Sequence, residues 1–325
     1  MTAVSVIIPA FNSAPFIAES IQSVVEQTWR EFEIIVVDDG STDDTEKVLR
    51  QLDVPISYYK QKNSGVATAR NLGAYNAKGK WLAFLDADDV WYPNKLAVQL
   101  SDAEKYPSGG FYYSEMDGID ESGRLIQSRL LTARRQRQPN KRNTNLLEMA
   151  FENGIFPYPS TVLIKRDLFF QSGAFDSRFR KNYHEDFELW TRVARLCPLI
   201  FNPTSLIRYR VPVNKVATFE SWEDENWLLL LNCLRETWKD LPEKHAALER
   251  YFAKLYSGQG KSFLRNRKYS DAQQCFYQAF RHWPYYSKNL RRWGLSYLPG
   301  IRFLYVHLKK HHDFDFTERK GEGEQ

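Results

Sequence analysis

The chain of 325 residues is 43% hydrophobic and 26% charged, a composition typical of globular proteins and unlike that of disordered or fibrous chains. No secretory signal is visible and no apolar segment approaches the roughly 18 residues that cross a bilayer, so we expect a cytosolic protein, or one at the cytosolic face of a membrane. The net charge of +5 is uneven, since residues 1–110 carry −5 and the remainder carries +10.

Strands and helices are predicted to alternate along the first hundred residues. Short apolar runs rich in β-branched residues predict strands at residues 4–8, 32–37, 56–59 and 81–85. Amphipathic stretches between them, such as residues 14–28, predict helices. This alternation is typical of an α/β fold, and we expect a mostly parallel sheet with helices on both faces.

Polar residues follow each of these four strands, in the segments Pro9 to Asn12, Asp38–Asp39, Asn63 and Asp86 to Asp89. Ligands of open α/β sheets bind at the carboxyl ends of the strands, so we expect the four loops to form one cleft. Taken alone, each loop is also explained as a turn or helix cap. The acidic run after residue 85 favours Mg²⁺ or Mn²⁺ held together with substrate phosphates. The chain has neither a dinucleotide fingerprint after the first strand nor a P-loop.

The first hundred residues contain, in order, the segments VSVIIPAFN, FEIIVVDDGSTDDT, NSGVATARNLG and FLDADD. Together these segments resemble the nucleotide-binding half of family 2 glycosyltransferases with the GT-A fold. The resemblance implies a UDP-sugar donor and a D-x-D pair, Asp86 and Asp88, that holds a metal on the diphosphate. It implies further donor-binding residues, which are Pro9, Phe11, Asp39, Asn63, Arg70 and Ala87.

The similarity resumes near residues 155–195, where Gly173-Ala174-Phe175-Asp176 precedes Glu185 and Asp186. Both acids begin a predicted helix, and the helix dipole alone explains carboxylates there. The resemblance implies instead that Asp186, with Glu185 beside it, is the catalytic base that takes the proton of the acceptor hydroxyl. Such a base, opposite a departing diphosphate, predicts a single displacement that inverts the anomeric carbon.

Two segments are strongly basic. Residues 124–142 contain seven bases and no acid, and are predicted to be a mobile loop or hairpin. This segment is either a solvated face, a lid over the diphosphate, or a contact for an anionic acceptor or a lipid headgroup. Residues 261–310 contain eleven bases interleaved with aromatic residues and one acid. This second segment fits a solvated face or an anionic membrane surface, and the absence of a nucleic-acid-binding motif disfavours a nucleic-acid partner.

We therefore predict a GT-A domain over residues 1–215, with donor binding in 1–110 and the acceptor side in 111–215. A helical region over 216–312 resembles, in part, one tetratricopeptide-type hairpin, and a disordered tail follows over 313–325. The predicted activity is an inverting, metal-dependent transfer of a sugar to a saccharide or lipid-linked glycan in cell-wall or exopolysaccharide synthesis.

Two alternatives remain open. A sugar-phosphate nucleotidyltransferase normally has a glycine-rich loop after its first strand, where this chain has Pro9-Ala10-Phe11-Asn12. A non-catalytic scaffold with a transferase-like domain is disfavoured because all the acids that the resemblance requires are intact, namely Asp39, Asp86, Asp88 and Asp186.

Overall fold

The computed structural model describes residues 3–133, 157–179, 184–211 and 225–284. Contacts group the described residues into two compact units. The first unit comprises residues 3–211 together with a helix that begins at Glu225, and the second comprises the helices after residue 240. The predicted tail, most of the basic stretch 261–310 and residues 134–142 lie outside the described ranges.

The described part of the first unit is built on one nine-stranded sheet, in the order β3-β2-β1-β4-β8-β6-β9-β5 with β7 paired to β6. Its strands are β1 (Val4–Ala10), β2 (Phe32–Asp38), β3 (Ile56–Lys60), β4 (Trp81–Phe84), β5 (Val90–Trp91), β6 (Phe111–Ile119), β7 (Leu125–Gln127), β8 (Val162–Lys165) and β9 (Leu199–Arg210). The first four strands are parallel, as the sequence predicts. β8 runs antiparallel to both β4 and β6, so the second half of the sheet is mixed.

The helices of the first unit are α1 (Ile17–Val25), α2 (Thr45–Gln51), α3 (Val66–Asn76), α4 (Lys95–Lys105), α5 (Leu130–Ala133), α6 (Arg166–Gln171), α7 (Glu185–Val193) and α8 (Glu225–Trp238). A 3₁₀ turn, Pro159–Thr161, leads into β8. Alternate residues of β1 point to opposite faces of the sheet, so Val6 joins one hydrophobic cluster and Ile7 joins another. The first cluster includes residues of α1 and α4, and the second includes residues of α3, α6 and α7. Helices therefore cover both faces, which explains why the central strands are largely apolar.

The described part of the basic segment 124–142 is a hairpin strand followed by one helical turn. β7 pairs antiparallel with the end of β6, which bears out the hairpin alternative for residues 125–127. The buried carboxylate of Glu115 then accepts the backbone N–H groups of Leu131 and Thr132 at 2.8 and 2.9 Å. Because these are among the first N–H groups of α5, Glu115 fixes where that helix begins.

The second unit, as described, is a hairpin of α9 (Pro242–Arg265) and α10 (Tyr269–His282). The helical periodicity of the sequence predicts helices over 243–265 and 269–282, which agree with both to within one residue. At Gly260 an added Cβ would lie 2.7 Å from the Phe276 ring, so the absence of a side chain there lets the two helices approach closely. Within the described ranges, no helix combines the length and apolar content that crossing a membrane requires.

Candidate active site

The loops after β1 and β2 are bonded to each other at the carboxyl edge of the sheet. Asn12, at φ +49°, donates its backbone N–H to Ser41 Oγ at 2.9 Å and accepts the Thr42 N–H on Oδ1 at 2.9 Å. Pro9 is buried within β1, whereas the Phe11 side chain beside these bonds is 47% exposed. Phe11 is therefore the accessible apolar surface of this loop, and Pro9 contributes to its framework.

Asp39 joins the β2 loop to the start of α3. Its carboxylate accepts the backbone N–H groups of Ser64 and Gly65 at 2.8 Å each, and the Gln61 amide at 2.7 Å. The side chain is buried, so these bonds form in a weakly screened environment. Asp39 thus fixes the loop that carries Asn63.

Gly40 makes a close approach between these two loops possible. Its φ of +82° is rarely adopted by residues with a side chain, and an added Cβ would lie 2.8 Å from the backbone nitrogen of Asn63. The Asn63 side chain itself is exposed. The sequence motif around Asp39 therefore includes a glycine that the geometry requires.

Arg70 connects the donor side of the sheet to the helix that carries the predicted base. Its guanidinium donates to Asp86 Oδ1 at 2.6 Å and to Glu185 Oε1 at 2.8 Å, and lies 5.3 Å from the centre of the Phe175 ring. Although burial alone would lower it, the two carboxylates raise the pKa of Arg70, which is 3% exposed. Arg70 is therefore a fixed positive charge between the two acids.

The acidic run after β4 divides into exposed and buried members. Asp88 is exposed and the Asp86 side chain is 30% exposed, whereas Ala87 between them is buried. Asp89 is 1% exposed, and burial together with the charges of Asp88 and Asp86 raises the pKa of its carboxyl well above the ordinary value. Only the two acids of the D-x-D pair are accessible to a ligand.

The D-x-D pair fits a divalent metal only together with further oxygen ligands. The described residues contain no group of three or more His, Cys, Asp or Glu side chains arranged to hold a metal. Mg²⁺ characteristically binds through one or two carboxylates plus substrate phosphates, which matches one exposed and one half-buried aspartate. Asp86 shares Oδ1 with Arg70, and Asp88 is the more accessible ligand.

Glu185 and Asp186 occupy the first turn of α7. Glu185 is buried against Arg70, whereas Asp186 is partly exposed and its Oδ1 accepts the Phe187 N–H at 2.6 Å. Burial and the neighbouring charge of Glu185 raise the pKa of Asp186 to about 8. A carboxylate with a raised pKa is a stronger proton acceptor than an ordinary one once it is ionised.

The Gly-Ala-Phe-Asp motif helps to position Arg70. Asn71 of α3 donates to the carbonyl of Phe175 at 2.8 Å and accepts its N–H at 3.0 Å. Arg192 of α7 donates to the carbonyl of Ala174 at 2.7 Å. These bonds hold the Phe175 ring beside the Arg70 guanidinium, so the motif positions the site without contributing an acid to it.

The sequence analysis missed several residues that shape this site. Asn71 lies inside the quoted NSGVATARNLG segment, directly after Arg70, and its position was the available signal. Trp227 of α8 packs on His184, with ring centroids 5.7 Å apart. His184 is the residue before α7 and has φ +74°, so a helix outside the predicted domain contacts the start of the base helix. No local pattern around Trp227 indicates that contact.

The chain is similar to known proteins in its sequence and in its fold. The model of glycosyl transferase family 2 matches residues 5–171. The chain is 32% identical over 209 residues to an uncharacterized glycosyltransferase of Rickettsia prowazekii, RP339, which covers 64% of each protein. It is 43% identical over 100 residues to the Escherichia coli UDP-Glc:alpha-D-GlcNAc-diphosphoundecaprenol beta-1,3-glucosyltransferase WfgD, or 30% of this chain and 40% of that protein. The crystal structure of S. aureus TarS 1–349 in complex with UDP is similar, with a TM-score of 0.65 at 17% identity over 90% of both chains.

The chain belongs to glycosyl transferase family 2, because the family model covers half of it. The likeness to TarS confirms the predicted GT-A-type α/β fold with helices after the sheet. The chain spans 21% of a Rickettsia felis relative and 64% of the R. prowazekii relative, which is less than two thirds of either protein.

Proposed function

We propose that the protein is an inverting, metal-dependent glycosyltransferase that moves a sugar from a UDP-sugar to a hydroxyl of a saccharide or lipid-linked glycan, in cell-wall or exopolysaccharide synthesis. The observation that carries the proposal is the double ion pair of Arg70 with Asp86 and Glu185. It brings the D-x-D pair and the predicted base helix into one site. The UDP-Glc donor and diphosphoundecaprenol-linked acceptor in the name of WfgD, and the UDP bound to TarS, support the substrate classes.

The donor side of the cleft is suited to a nucleotide. The exposed Phe11 ring offers a stacking surface for a base, and the Asn63 loop beside it is fixed by Asp39. The D-x-D pair lies at the carboxyl end of β4, next to β1 in the sheet. A nucleotide between Phe11 and the D-x-D pair therefore spans two adjacent strands, where open α/β sheets bind ligands.

The reaction that this arrangement favours is a single displacement. The acceptor hydroxyl oxygen forms a bond to the anomeric carbon as the bond from that carbon to the diphosphate oxygen breaks. Asp186 takes the hydroxyl proton, and UDP leaves with the bonding electron pair, so the charges balance. General-base assistance of this kind contributes about 10²–10⁴-fold.

Asp86 and Asp88 would hold a Mg²⁺ or Mn²⁺ ion, which when bound neutralises part of the charge on the departing diphosphate. Arg70 keeps Asp86 oriented by donating to Oδ1. Two polar atoms of this assembly, Arg70 Nε and Glu185 Oε2, are buried and have no hydrogen-bond partner among the described residues. Buried polar atoms are normally paired, so both are available to order the site further when substrates bind.

Release of UDP from a panel of UDP- and GDP-sugars, with Mn²⁺ and then with EDTA, tests the proposal. We expect slow hydrolysis of one UDP-sugar, its loss with EDTA, and a loss of about 10²-fold or more in glycosyl transfer in Asp186→Asn. Asp44→Asn, a change at the exposed acid that directly precedes α2, is the matched control and should leave the rate unchanged.

Two outcomes would contradict the proposal. If no donor is bound or hydrolysed in the presence of metal, the non-catalytic scaffold alternative is favoured. If Asp186→Asn keeps full activity, the assignment of the base is wrong. The cytosolic location and the membrane contact of the basic segment 261–310 stay predictions.

A further inference from the structure

The third aspartate of the acidic run, Asp89, is buried and anchors the loop to other parts of the protein. Its Oδ2 accepts the hydroxyl of Ser160 at 2.5 Å, and its Oδ1 accepts the backbone N–H of Arg210 at 3.0 Å. Ser160 belongs to the 3₁₀ turn before β8, and Arg210 is the last residue of β9. One buried carboxylate thus joins the loop to two later segments of the chain.

Ser160 continues this connection to the first acid of the D-x-D pair. While its hydroxyl donates to Asp89, its oxygen accepts the backbone N–H of Asp86 at 3.0 Å. Ser160 is buried, and its carbonyl accepts the Trp91 indole N–H at 3.0 Å, so its own position is fixed. The backbone N–H of the first acid of the D-x-D pair is therefore held by this hydroxyl.

Arg210 holds the other end of the pair. Its Nε donates to the carbonyl of Asp88 at 2.8 Å, and one terminal nitrogen donates to the carbonyls of Asp120 and Glu121 at 2.9 Å each. The other terminal nitrogen pairs with Glu19 at 2.7 Å. A planar guanidinium with several donors in fixed directions suits such a junction, and a lysine ammonium does not reproduce it.

The carbonyls within the loop are also engaged. Ser20 of α1 lies with its hydroxyl oxygen 2.8 Å from the carbonyl oxygen of Ala87 and 2.7 Å from that of Asp89. The loop from Asp86 to Asp89 is therefore bonded on its protein side at every residue, while the two accessible carboxylates face outward from this framework.

From these contacts we infer that Ser160 and Arg210 are positioning residues for the donor site, which hold the backbone of Asp86 and Asp88 so that both carboxylates meet the donor diphosphate and its metal in one geometry. The inference rests on the proposed function. Both residues are buried and bond to the loop from its protein side. Replacing either residue is expected to change the affinity of the site for the metal and the donor, and not the proton transfer at Asp186.

The test is the affinity for Mn²⁺ in the presence of UDP, measured by electron paramagnetic resonance on the full chain. In Ser160→Ala and Arg210→Lys we expect the apparent Kd for Mn²⁺ to rise about tenfold, the effect of one or two lost hydrogen bonds. The rate of donor hydrolysis at saturating Mn²⁺ should stay within about threefold of wild type. Glu19→Gln, which changes only the outer partner of Arg210, is the matched control and should bind as wild type does.

The possible results distinguish a failure of this inference from a failure of the proposed function. If the wild type binds Mn²⁺ with UDP and both folded variants bind it equally well, the inference is wrong and the proposed function stands. If the wild type takes up no Mn²⁺ with UDP, the metal-dependent function is wrong and the inference falls with it. A melting temperature identifies any unfolded variant, and Ser160→Ala, which removes one atom, decides if Arg210→Lys does not fold.

Discussion

Asp186 is held in surroundings that disfavour its ionised form, and this has opposite consequences for activity and stability. Its pKa is raised from 3.8 to about 8, so the stabilising contribution of the protonated form is complete below pH 4 and is lost as the pH rises through 8. We therefore expect Asp186→Asn to be inactive in transfer yet more stable than wild type at pH 9, by about 1–3 kcal/mol after allowing for partial exposure.

Thermal unfolding of both proteins at pH 4 and pH 9 measures this effect. The gain in melting temperature should be large at pH 9 and small at pH 4, because at the lower pH the folded carboxyl is protonated and the unfolded one, with its pKa of 3.8, is only about half ionised. An equal gain in melting temperature at both pH values would show that the surroundings do not disfavour the ionised form of Asp186.

The charge of Glu185 is one cause of that raised pKa, which allows a second prediction. Glu185→Gln removes the neighbouring negative charge and leaves Arg70 less neutralised, and both changes favour ionised Asp186. The acid limb of the pH profile of kcat/KM should therefore move to lower pH, by about one unit or more. A profile that keeps its wild-type midpoint would exclude Asp186 as the group that titrates.

At the scale of secondary-structure elements, α8 supports the start of α7. Trp227 is buried, and its ring packs on His184, whose left-handed backbone conformation directly precedes Glu185. We expect Trp227→Ala to lower kcat about tenfold, since a small misplacement of a base is costly, with a change of less than about threefold in the KM for the donor. The residues proposed to bind the donor lie on other elements.

Steady-state kinetics of three variants check this prediction. Trp227→Phe keeps a ring against His184 and should recover most of the rate, and Leu228→Ala changes the next, exposed residue as a control. An equal loss of kcat in all three variants, or a rise in the KM for the donor with kcat unchanged, would contradict the supporting role of α8.

The elements differ in how well the sequence predicts them. β1, β2 and β4 are buried on both faces of the sheet, and their apolar runs predict them within two residues of their bounds. β5 has only two residues, Val90 and Trp91, which is too short for any periodicity to indicate. The apolar run 161–164 predicts a strand where β8 forms, but the antiparallel insertion of β8 between β4 and β6 depends on long-range pairing that the sequence does not indicate.

The residues of the candidate site also differ in how well the sequence predicts their positions. Residues that contact one another within a motif, such as Asp39 with Ser64 and Gly65, lie in segments whose order along the chain already indicates the cleft. Ser160 and Arg210 act through a carboxylate and a carbonyl far away in sequence, and a serine or an arginine at the end of a strand is unremarkable by itself. Their placement becomes evident only when the strands are assembled.

For the molecule as a whole, stability should depend on a buried lysine. Lys95 at the start of α4 is fully buried, lies 3.9 Å from the centre of the Trp91 ring and donates to the carbonyl of Val162 at 3.3 Å. Burial lowers its pKa well below 10.5. The unfolded chain therefore binds a proton that the folded chain resists, and stability is lost as the pH falls below 10.5.

Lys95→Met should raise the free energy of unfolding at pH 7 by about 1–3 kcal/mol, because a charge no longer has to be buried or neutralised. The gain should shrink as the pH approaches 10.5. Urea unfolding at pH 7 and pH 10 measures it, with Lys78→Met, a change at an exposed lysine, as the control. A destabilised variant at pH 7 would mean that the contacts of the ammonium outweigh the cost of burying it.

The long-range bonds of the site also limit how this chain can be recombined with its relatives. Arg70 and Glu185 are 115 residues apart, Asp89 and Ser160 are 71 apart, and Asp88 and Arg210 are 122 apart. A chimaera with a breakpoint between 90 and 159 separates all three pairs at once, so exchanging donor and acceptor halves transfers mismatched partners along with the wanted specificity. A breakpoint after residue 239 leaves every one of these pairs within a single parent.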